Sequence, residues 1–288
     1  MSTTTQNTNF QDILKSIEDF YTENAISVWC PVADVTLKFK PLSIQQLKQF
    51  IELQVSVEKD EFGVIPGLEL IRKLNTLITD NCVDKTPDLL KILTVIDRDA
   101  ILLQLRANTK NTVEIQNNNE VENINLSDIV SNVKSLKFTK ALKSRKKTIN
   151  IGSTSIELRL DLPSIDHDNT INEYFVTNIA KPQLQKGRKQ VESNVEKLLS
   201  NVYLIELSKY ISQITVSKDS SKSDIDFKNT DNITSNMQVL EKLPSVLLSE
   251  VSAYIKDVKK FRDSAISYTS SDGKQVTLDI DVAFFTGI

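Results

Sequence analysis

The sequence predicts an α+β fold that is predominantly helical and carries small antiparallel β-hairpins. Over long stretches, such as residues 247–261, apolar side chains recur every three or four positions, which places them on one face of a helix. Elsewhere apolar residues alternate with polar ones beside turn residues, as around Gly152 and after the Asp272-Gly273 pair. Alternation next to such residues is typical of a β-hairpin.

Length and charge limit the class of protein. The 288 residues are enough for one large domain or two medium ones. The net charge of −3 argues against a general nucleic-acid-binding protein, which is usually basic. No apolar run approaches the roughly 18–20 residues that span a bilayer.

Changes in the pattern of apolar and polar residues predict four segments: an N-terminal arm with an amphipathic helix (1–28), a core of strand and helices (29–110), a polar and basic segment with a β-hairpin (111–168) and a helical domain ending in a β-hairpin (169–288).

The sequence lacks the residue patterns of common active sites. His167 is the single histidine, which excludes most Ser-His-Asp and most zinc-hydrolase sites, because those need an imidazole at a defined place beside other groups. Six glycines occur, where average usage gives about 20, and no phosphate-binding glycine motif is present. Cys30 and Cys82 lie far apart and are interpreted as buried free thiols. We therefore predict no catalytic, cofactor-binding or metal-binding residues and no enzymatic activity.

The N-terminal arm contains apolar residues at helical spacing. Phe10, Ile13 and Ile17 fall on one face of a helix of about three turns. This face either packs on its own domain or docks in a groove of a neighbouring subunit. Under the second interpretation these three residues are candidate partner-binding residues.

The second segment begins with a strand and continues with helices. Residues 35–39 alternate strictly, and Pro41 ends the strand because proline has no N–H for the ladder. Ser43 and Gln46 fit a capping box, in which two side chains satisfy free amides of the first helical turn. Asp97 is predicted to cap the last helix of the segment.

The third segment starts polar and ends in alternating residues. Residues 111–135 predict an extended stretch and then about one helical turn. Residues 148–162 alternate on both sides of a Gly-Ser turn and predict a β-hairpin. Asp168 or Asn169 is predicted to cap the helix that follows.

Residues 134–147 form a basic run without an acidic residue. The first interpretation is a solvated face. The alternatives are docking to an acidic patch on a partner protein, or binding to nucleic acid, for which the one aromatic residue, Phe138, is too few. The candidate partner-binding residues in the run are Lys137, Lys140, Lys143, Arg145, Lys146 and Lys147.

The fourth segment predicts a long amphipathic helix from about residue 189 to 216, followed over residues 217–224 by a polar loop that is the best candidate linker. Pro244 separates two further helices. Near the end, Phe284 and Phe285 either pack in the core or insert into a partner, and they complete the candidate partner-binding residues.

Four short elements carry a family resemblance through their order and spacing. They are Phe39-Lys40-Pro41-Leu42, Gln46-Leu47-Lys48, Leu77-Ile78-Thr79-Asp80-Asn81-Cys82, and Asp97 with the helix 101–108, ILLQLRAN. Together with the closing helix, hairpin and Phe-Phe pair, they resemble the baseplate hub subunit and hub assembly family of T-even-like tailed bacteriophages. Two family features are missing: Thr109-Lys110-Asn111 replaces a small residue, a glycine and an acid, and residues 111–135 lack Cys-x-x-Cys pairs, so no zinc site is implied.

The resemblance implies a structural or assembly component of a tailed-phage baseplate hub that acts by protein–protein binding. Its partners would be other hub and tail proteins, with no small-molecule substrate and no membrane. It would either stay in the virion baseplate or act in the host cytoplasm as a transient assembly chaperone. A nucleic-acid-binding adaptor that uses residues 134–147 is the remaining alternative, which the net charge disfavours.

Overall fold

A computed structural model describes residues 4–57, 64–84, 86–117, 120–136, 138–181, 200–219, 221–280 and 284–285. It is mixed, 56% helical and 25% strand, with small antiparallel sheets, so the predicted α+β class is confirmed.

The helices in the described part of the chain are mostly short to medium in length. They are α1 (Thr4–Glu23), α2 (Ile44–Val57), α3 (Val64–Asn81), α4 (Leu89–Ile92), α5 (Val95–Thr109), α6 (Leu126–Ser135), α7 (Lys140–Lys143), α8 (Ile165–Phe175), α9 (described over 200–209), α10 (Ile233–Leu240) and α11 (Ser245–Ala265). A π-helical turn (Val176–Ala180) continues α8, and a 3-10 turn (Thr230–Asn232) precedes α10.

The strands form one larger sheet and separate hairpins. They are β1 (Ile26–Cys30), β2 (Val35–Phe39), β3 (Thr112–Asn117), β4 (Glu120–Asn125), β5 (Ser144–Ile151), β6 (Thr154–Asp161), β7 (Ile211–Lys218), β8 (Ser221–Asp226), β9 (Ser267–Thr269) and β10 (Gln275–Thr277). Strands β5-β6-β7-β8 form a four-stranded antiparallel sheet in that order, while β1-β2, β3-β4 and β9-β10 are two-stranded.

Two main cores connect distant parts of the sequence. The first contains residues of β1, β2, α2, α3, α5 and α6 and also the C-terminal Phe284 and Phe285. The second lies between the four-stranded sheet and α11, where Leu158 and Ile214 pack with Val251. A smaller cluster joins α8, α9 and α10. The first hairpin, β1–β2, and the C-terminal residues 284–285 therefore share the first core.

Local sequence signals are confirmed at several elements. Ser43 and Gln46 form the predicted capping box. The backbone N–H of Gln46 donates to Ser43 Oγ at 3.2 Å, and the backbone N–H of Ser43 donates to Gln46 Oε1 at 2.9 Å. Strands β5 and β6 form the predicted hairpin, with Gly152 at φ 59° in its turn, a conformation that glycine adopts without steric cost. Pro244 separates α10 from α11.

The prediction of one helix from residue 189 to 216 is wrong at its C-terminal end. Residues 182–199 lie outside the described residues, but α9 ends before Tyr210 and residues 211–218 form β7, the partner of both β6 and β8. Ile211, Ile214 and Thr215 are β-branched and buried. Such residues pack well in a central strand, and pairing on both sides overrides the helical spacing.

The predicted linker at 217–224 is also wrong, because its described residues include the end of β7 and the start of β8, which pair with each other. Asp219 has φ 52° between the two strands, and aspartate tolerates that left-handed region. Residues 111–135 contain a full hairpin, β3–β4, and the ten-residue helix α6 rather than one helical turn.

Two predicted helix caps lie at other residues. Thr94 caps α5, and Asp97 is the third residue of the helix, whose carboxylate accepts from the Thr94 amide at 2.9 Å. Ser164 caps α8 with its hydroxyl, so Asp168 lies within the helix. In both cases the side-chain hydroxyl of a Ser or Thr that precedes the acidic residue accepts from a free backbone N–H of the first helical turn.

Candidate partner-binding surface

Helix α1 carries an exposed apolar face. Phe10 is 57% exposed, Ile13 53%, Ile17 49% and Phe20 60%. The spacing of three, four and three residues places these side chains on one side of the helix. Single exposed apolar residues are ordinary, whereas a contiguous row of large ones marks an interaction site.

No other described helix or strand packs extensively along α1. The helix connects directly to β1, and the Asn24 and Ala25 amides close its C-terminal end on Phe20 and Thr22 carbonyls. The structure therefore does not show the packing of this face on its own domain. Over its length α1 contains four acidic residues and one lysine, so an apolar groove with a basic rim would complement it.

Part of the basic run binds acidic residues of the same chain. Arg145 Nη2 lies 2.7 Å from Asp257 Oδ2, and Lys147 Nζ lies 2.7 Å from Glu250 Oε1. Both acids belong to α11. The Arg145 guanidinium also lies 5.3 Å from the ring centroid of Tyr254. An acidic patch for these two cations is thus present within the chain itself.

The remaining basic residues are dispersed. Lys143 Nζ donates to the Val32 carbonyl at 2.7 Å and so ties α7 to the first hairpin. Lys146 Nζ lies 3.6 Å from Glu157 Oε1, and its side chain is 54% exposed. Lys140 begins α7, and Lys137 lies outside the described residues. The described part of the run does not form one continuous basic surface.

Of the two predicted alternatives for Phe284 and Phe285, packing in the core or insertion into a partner, the structure has the first. They are 2% and 3% exposed, and the Phe285 ring stacks on Phe50 with 4.6 Å between centroids. Arg106 Nε donates to the Phe284 carbonyl at 2.8 Å. In this structure neither phenylalanine is accessible to a partner, which corrects their prediction as partner-binding residues.

A buried ionic cluster, which the sequence did not indicate, connects α5, α8 and α9. Asp168 accepts from Lys209 Nζ at 3.0 Å and from Arg98 Nη1 at 3.1 Å. The Asp168 and Lys209 side chains are 5% and 8% exposed. Lys209 also pairs with Glu206 at 2.8 Å. No sequence pattern relates residues this far apart, so the cluster is visible only in the fold.

The pKa values of the cluster indicate a charged network. Burial opposes ionisation of Asp168, but the charges of Lys209 and Arg98 outweigh it and hold its pKa below the ordinary value. Burial likewise opposes the charge of Lys209, and Asp168 with Glu206 reverses this, so the Lys209 pKa is raised. Asp168 and Lys209 thus each favour the charged form of the other, and removal of one partner of such a buried pair is strongly destabilising.

Metal-ligating side chains do not cluster in the described part of the chain. This part contains no group of three or more His, Cys, Asp or Glu side chains that could hold a metal ion. Burial lowers the pKa of His167 and raises that of Cys30; the raised pKa disfavours the reactive thiolate. No helix in the described ranges is long and apolar enough to cross a membrane.

Comparisons with known proteins do not extend this picture. No protein-family model matches the chain, and no curated protein and no solved structure shows significant similarity to it.

Proposed function

We propose that this chain is a structural or assembly component of a tailed-phage baseplate hub and that it acts by binding other hub and tail proteins. Its scaffold is predominantly helical with small β-hairpins, and it performs no catalysis. The observation that carries the proposal of binding is the exposed apolar face of α1, defined by Phe10, Ile13, Ile17 and Phe20. In the proposed complex this face inserts into an apolar groove of a partner.

The assignment to the hub rests on the four elements that resemble the phage family. Their apolar members are core residues, since Phe39, Ile78 and Ile101 are fully buried and Leu42 is 6% exposed. The structure also gives Arg106 of the last element a packing role beside the C-terminal segment. The resemblance therefore concerns residues that build the scaffold, which supports a shared architecture more than a shared active site.

A paired set of double variants tests the role of α1. Ile13→Ser with Ile17→Ser removes the centre of the apolar face, whereas Lys15→Ser with Asp19→Ser changes the opposite face and keeps the net charge. Copurification from phage-infected cells, with identification by mass spectrometry, should recover hub or tail proteins with the wild type and with the second variant. The first variant should lower that recovery about tenfold or more.

The melting temperature of both variants should equal that of the wild type, because exposed substitutions change stability by less than about 0.5 kcal/mol. Equal recovery with all three proteins would exclude α1 as the binding surface. If no tail or baseplate protein copurifies with the wild type, the hub assignment is wrong.

The time at which the protein acts is a separate question. A permanent subunit is present in purified virions and a transient assembly chaperone is absent from them. Mass spectrometry of virions distinguishes the virion baseplate from the host cytoplasm as the site of action.

A further inference from the structure

A polar groove of about 580 Å³ lies between two hairpins whose strands do not pair with each other. The hairpins touch where the Ser271 amide and hydroxyl donate to Glu122 Oε1 at 3.3 and 2.7 Å. Asn123 and Asn125 of β4 line one side, and Ser267 and Thr269 of β9 line the other. Its floor includes Ile124 and Ile129. Strands β4 and β9 each pair on one side, with β3 and β10 respectively, so each has one free edge in the described part of the chain.

The pairing of β4 shows which of its backbone groups are free. In an antiparallel ladder, residues alternate between those that exchange hydrogen bonds with the partner strand and those whose N–H and C=O point away from it. The Leu126 amide donates to the Asn111 carbonyl. Ile124 lies two residues earlier, so it also exchanges hydrogen bonds with β3, at Val113. Asn123 and Asn125 therefore direct their N–H groups away from β3. The Asn125 carbonyl begins α6, whereas the Asn123 carbonyl is free.

The same argument applies to β9. The Leu278 amide donates to the Ile266 carbonyl, so Tyr268, two residues on, exchanges bonds with β10. Ser267 and Thr269 then direct their backbone groups away from β10. These residues and the two asparagines of β4 line one groove. The free edges of both hairpins thus converge there.

We propose that an extended segment of a partner protein inserts into this groove, displaces the exposed hydrogen bonds between Ser271 and Glu122 and joins both hairpins into one five-stranded sheet, β3-β4-segment-β9-β10. This is β-strand addition, in which main-chain hydrogen bonds supply the affinity. The site differs from the α1 face, and the inference does not depend on the hub assignment.

The composition of the edges favours this occupant. Neither β4 nor β9 contains a lysine or a proline, the residues that most often block edge pairing, and the charged residues of β4 are the acids Glu120 and Glu122. The edge strands of the four-stranded sheet differ, since β5 carries Lys146 and Lys147 and β8 carries Lys222. The groove is also lined by Asp128, so the inserted segment is neutral or basic, and β-branched residues favour its extended conformation.

Two substitutions of Asn123 distinguish the contribution of its backbone N–H to segment binding from the contribution of its side chain. Asn123→Pro removes a free N–H and no hydrogen bond of the β3–β4 ladder, a position where proline is tolerated. Asn123→Thr changes the same side chain and keeps the N–H. Thr269→Pro and Thr269→Val form the equivalent pair on β9. Melting temperatures of all four variants verify the fold.

The probe is a displayed library of random heptapeptides, selected on the full-length wild-type protein. We expect selected peptides to be extended, to alternate β-branched and polar residues and to lack acids. Their affinity should fall about tenfold or more with each folded proline variant and change little with the threonine and valine controls. No enrichment over an unrelated protein, or peptides that bind the proline variants equally well, would overturn the proposal. Binding of neutral oligosaccharides on a glycan array that depends on the carboxamides, without peptide binding, would overturn it as well.

Amide hydrogen exchange by NMR tests the geometry directly. In the free protein the amides of Asn123 and Thr269 should exchange faster than those of Ile124 and Tyr268, which are bonded within the hairpins. A selected peptide should slow the first pair at least about tenfold. Unchanged exchange at Asn123 and Thr269 with bound peptide would show that the segment does not add to these edges.

Discussion

The buried Asp168 provides the sharpest test of how the helices are held together. Asp168→Asn keeps the shape of the side chain but removes the charge that Lys209 and Arg98 approach at 3.0 and 3.1 Å. Breaking a buried ion pair by removing one partner costs about 3–5 kcal/mol, because the remaining charge is buried without compensation.

The structure places the expected cost at the lower end of this range. Lys209 keeps an ion pair with Glu206 at 2.8 Å, and Arg98 keeps Asp99 at 3.7 Å. Neither cation is therefore left without an acid, and we expect a loss of about 3 kcal/mol. At roughly 2 °C per kcal/mol for a chain of this size, the melting temperature should fall by about 6 °C, as measured by calorimetry or circular dichroism.

A surface pair provides the control for the Asp168 variant. Lys146 and Glu157 lie 3.6 Å apart, and their side chains are 54% and 39% exposed. Glu157→Gln removes one charge there and should cost less than about 1 kcal/mol. If Asp168→Asn lowers the melting temperature no more than Glu157→Gln does, the cluster does not hold α5, α8 and α9 together.

The stabilisation by Asp168 should also depend on pH in one direction. Because its pKa is lower in the folded chain than the ordinary value of about 3.9, its contribution is present above that value and is lost as the pH falls through the folded pKa. The difference in stability between the wild type and Asp168→Asn should thus stay constant from about pH 7 to pH 5 and shrink below about pH 4. A difference that persists unchanged at about pH 2 would contradict an ionised Asp168.

Two further substitutions test the core and a helix start by urea denaturation. Phe285→Ala should lower the free energy of unfolding by about 3–5 kcal/mol, since Phe285 is 3% exposed and stacks on Phe50; a loss below about 1 kcal/mol would mean that this side chain is not in the core. Thr94→Ala removes the hydroxyl that caps α5 and should cost about 1 kcal/mol, most of which Thr94→Ser restores. Equal costs for both Thr94 variants would show that the hydroxyl is not the stabilising group.

The parts of the fold that were predicted correctly depend on neighbours in sequence. A capping box needs two side chains three residues apart, as Ser43 and Gln46 are, and a tight hairpin needs a turn residue such as Gly152 between alternating strands. Pro244 lies between α10 and α11, because proline disrupts the interior of a helix but is tolerated at its start. These signals act within about one helical turn or one β-turn, so the sequence alone contains them.

The parts that were missed depend on contacts between distant residues. Residues 211–216 have apolar spacing compatible with a helix, but β6 and β8 supply partners on both sides and make them a central strand. Asp168 was predicted to cap a helix, and its role is decided by Lys209 and Arg98 on other elements. Short apolar runs are ambiguous between helix and strand until the partner strands are known.

The difference between local sequence signals and long-range contacts also applies to the candidate partner-binding residues. It decides which surface to test first. A row of exposed residues and a row of buried ones have the same sequence pattern, because burial depends on whether the chain covers that face. The chain covers Phe285 with its first core and pairs Arg145 with α11, but it leaves Ile13 and Ile17 of α1 about half exposed. Apolar area left exposed retains its free energy of transfer for a second molecule, at about 25 cal/mol per Å². The α1 face is therefore the candidate surface to test first.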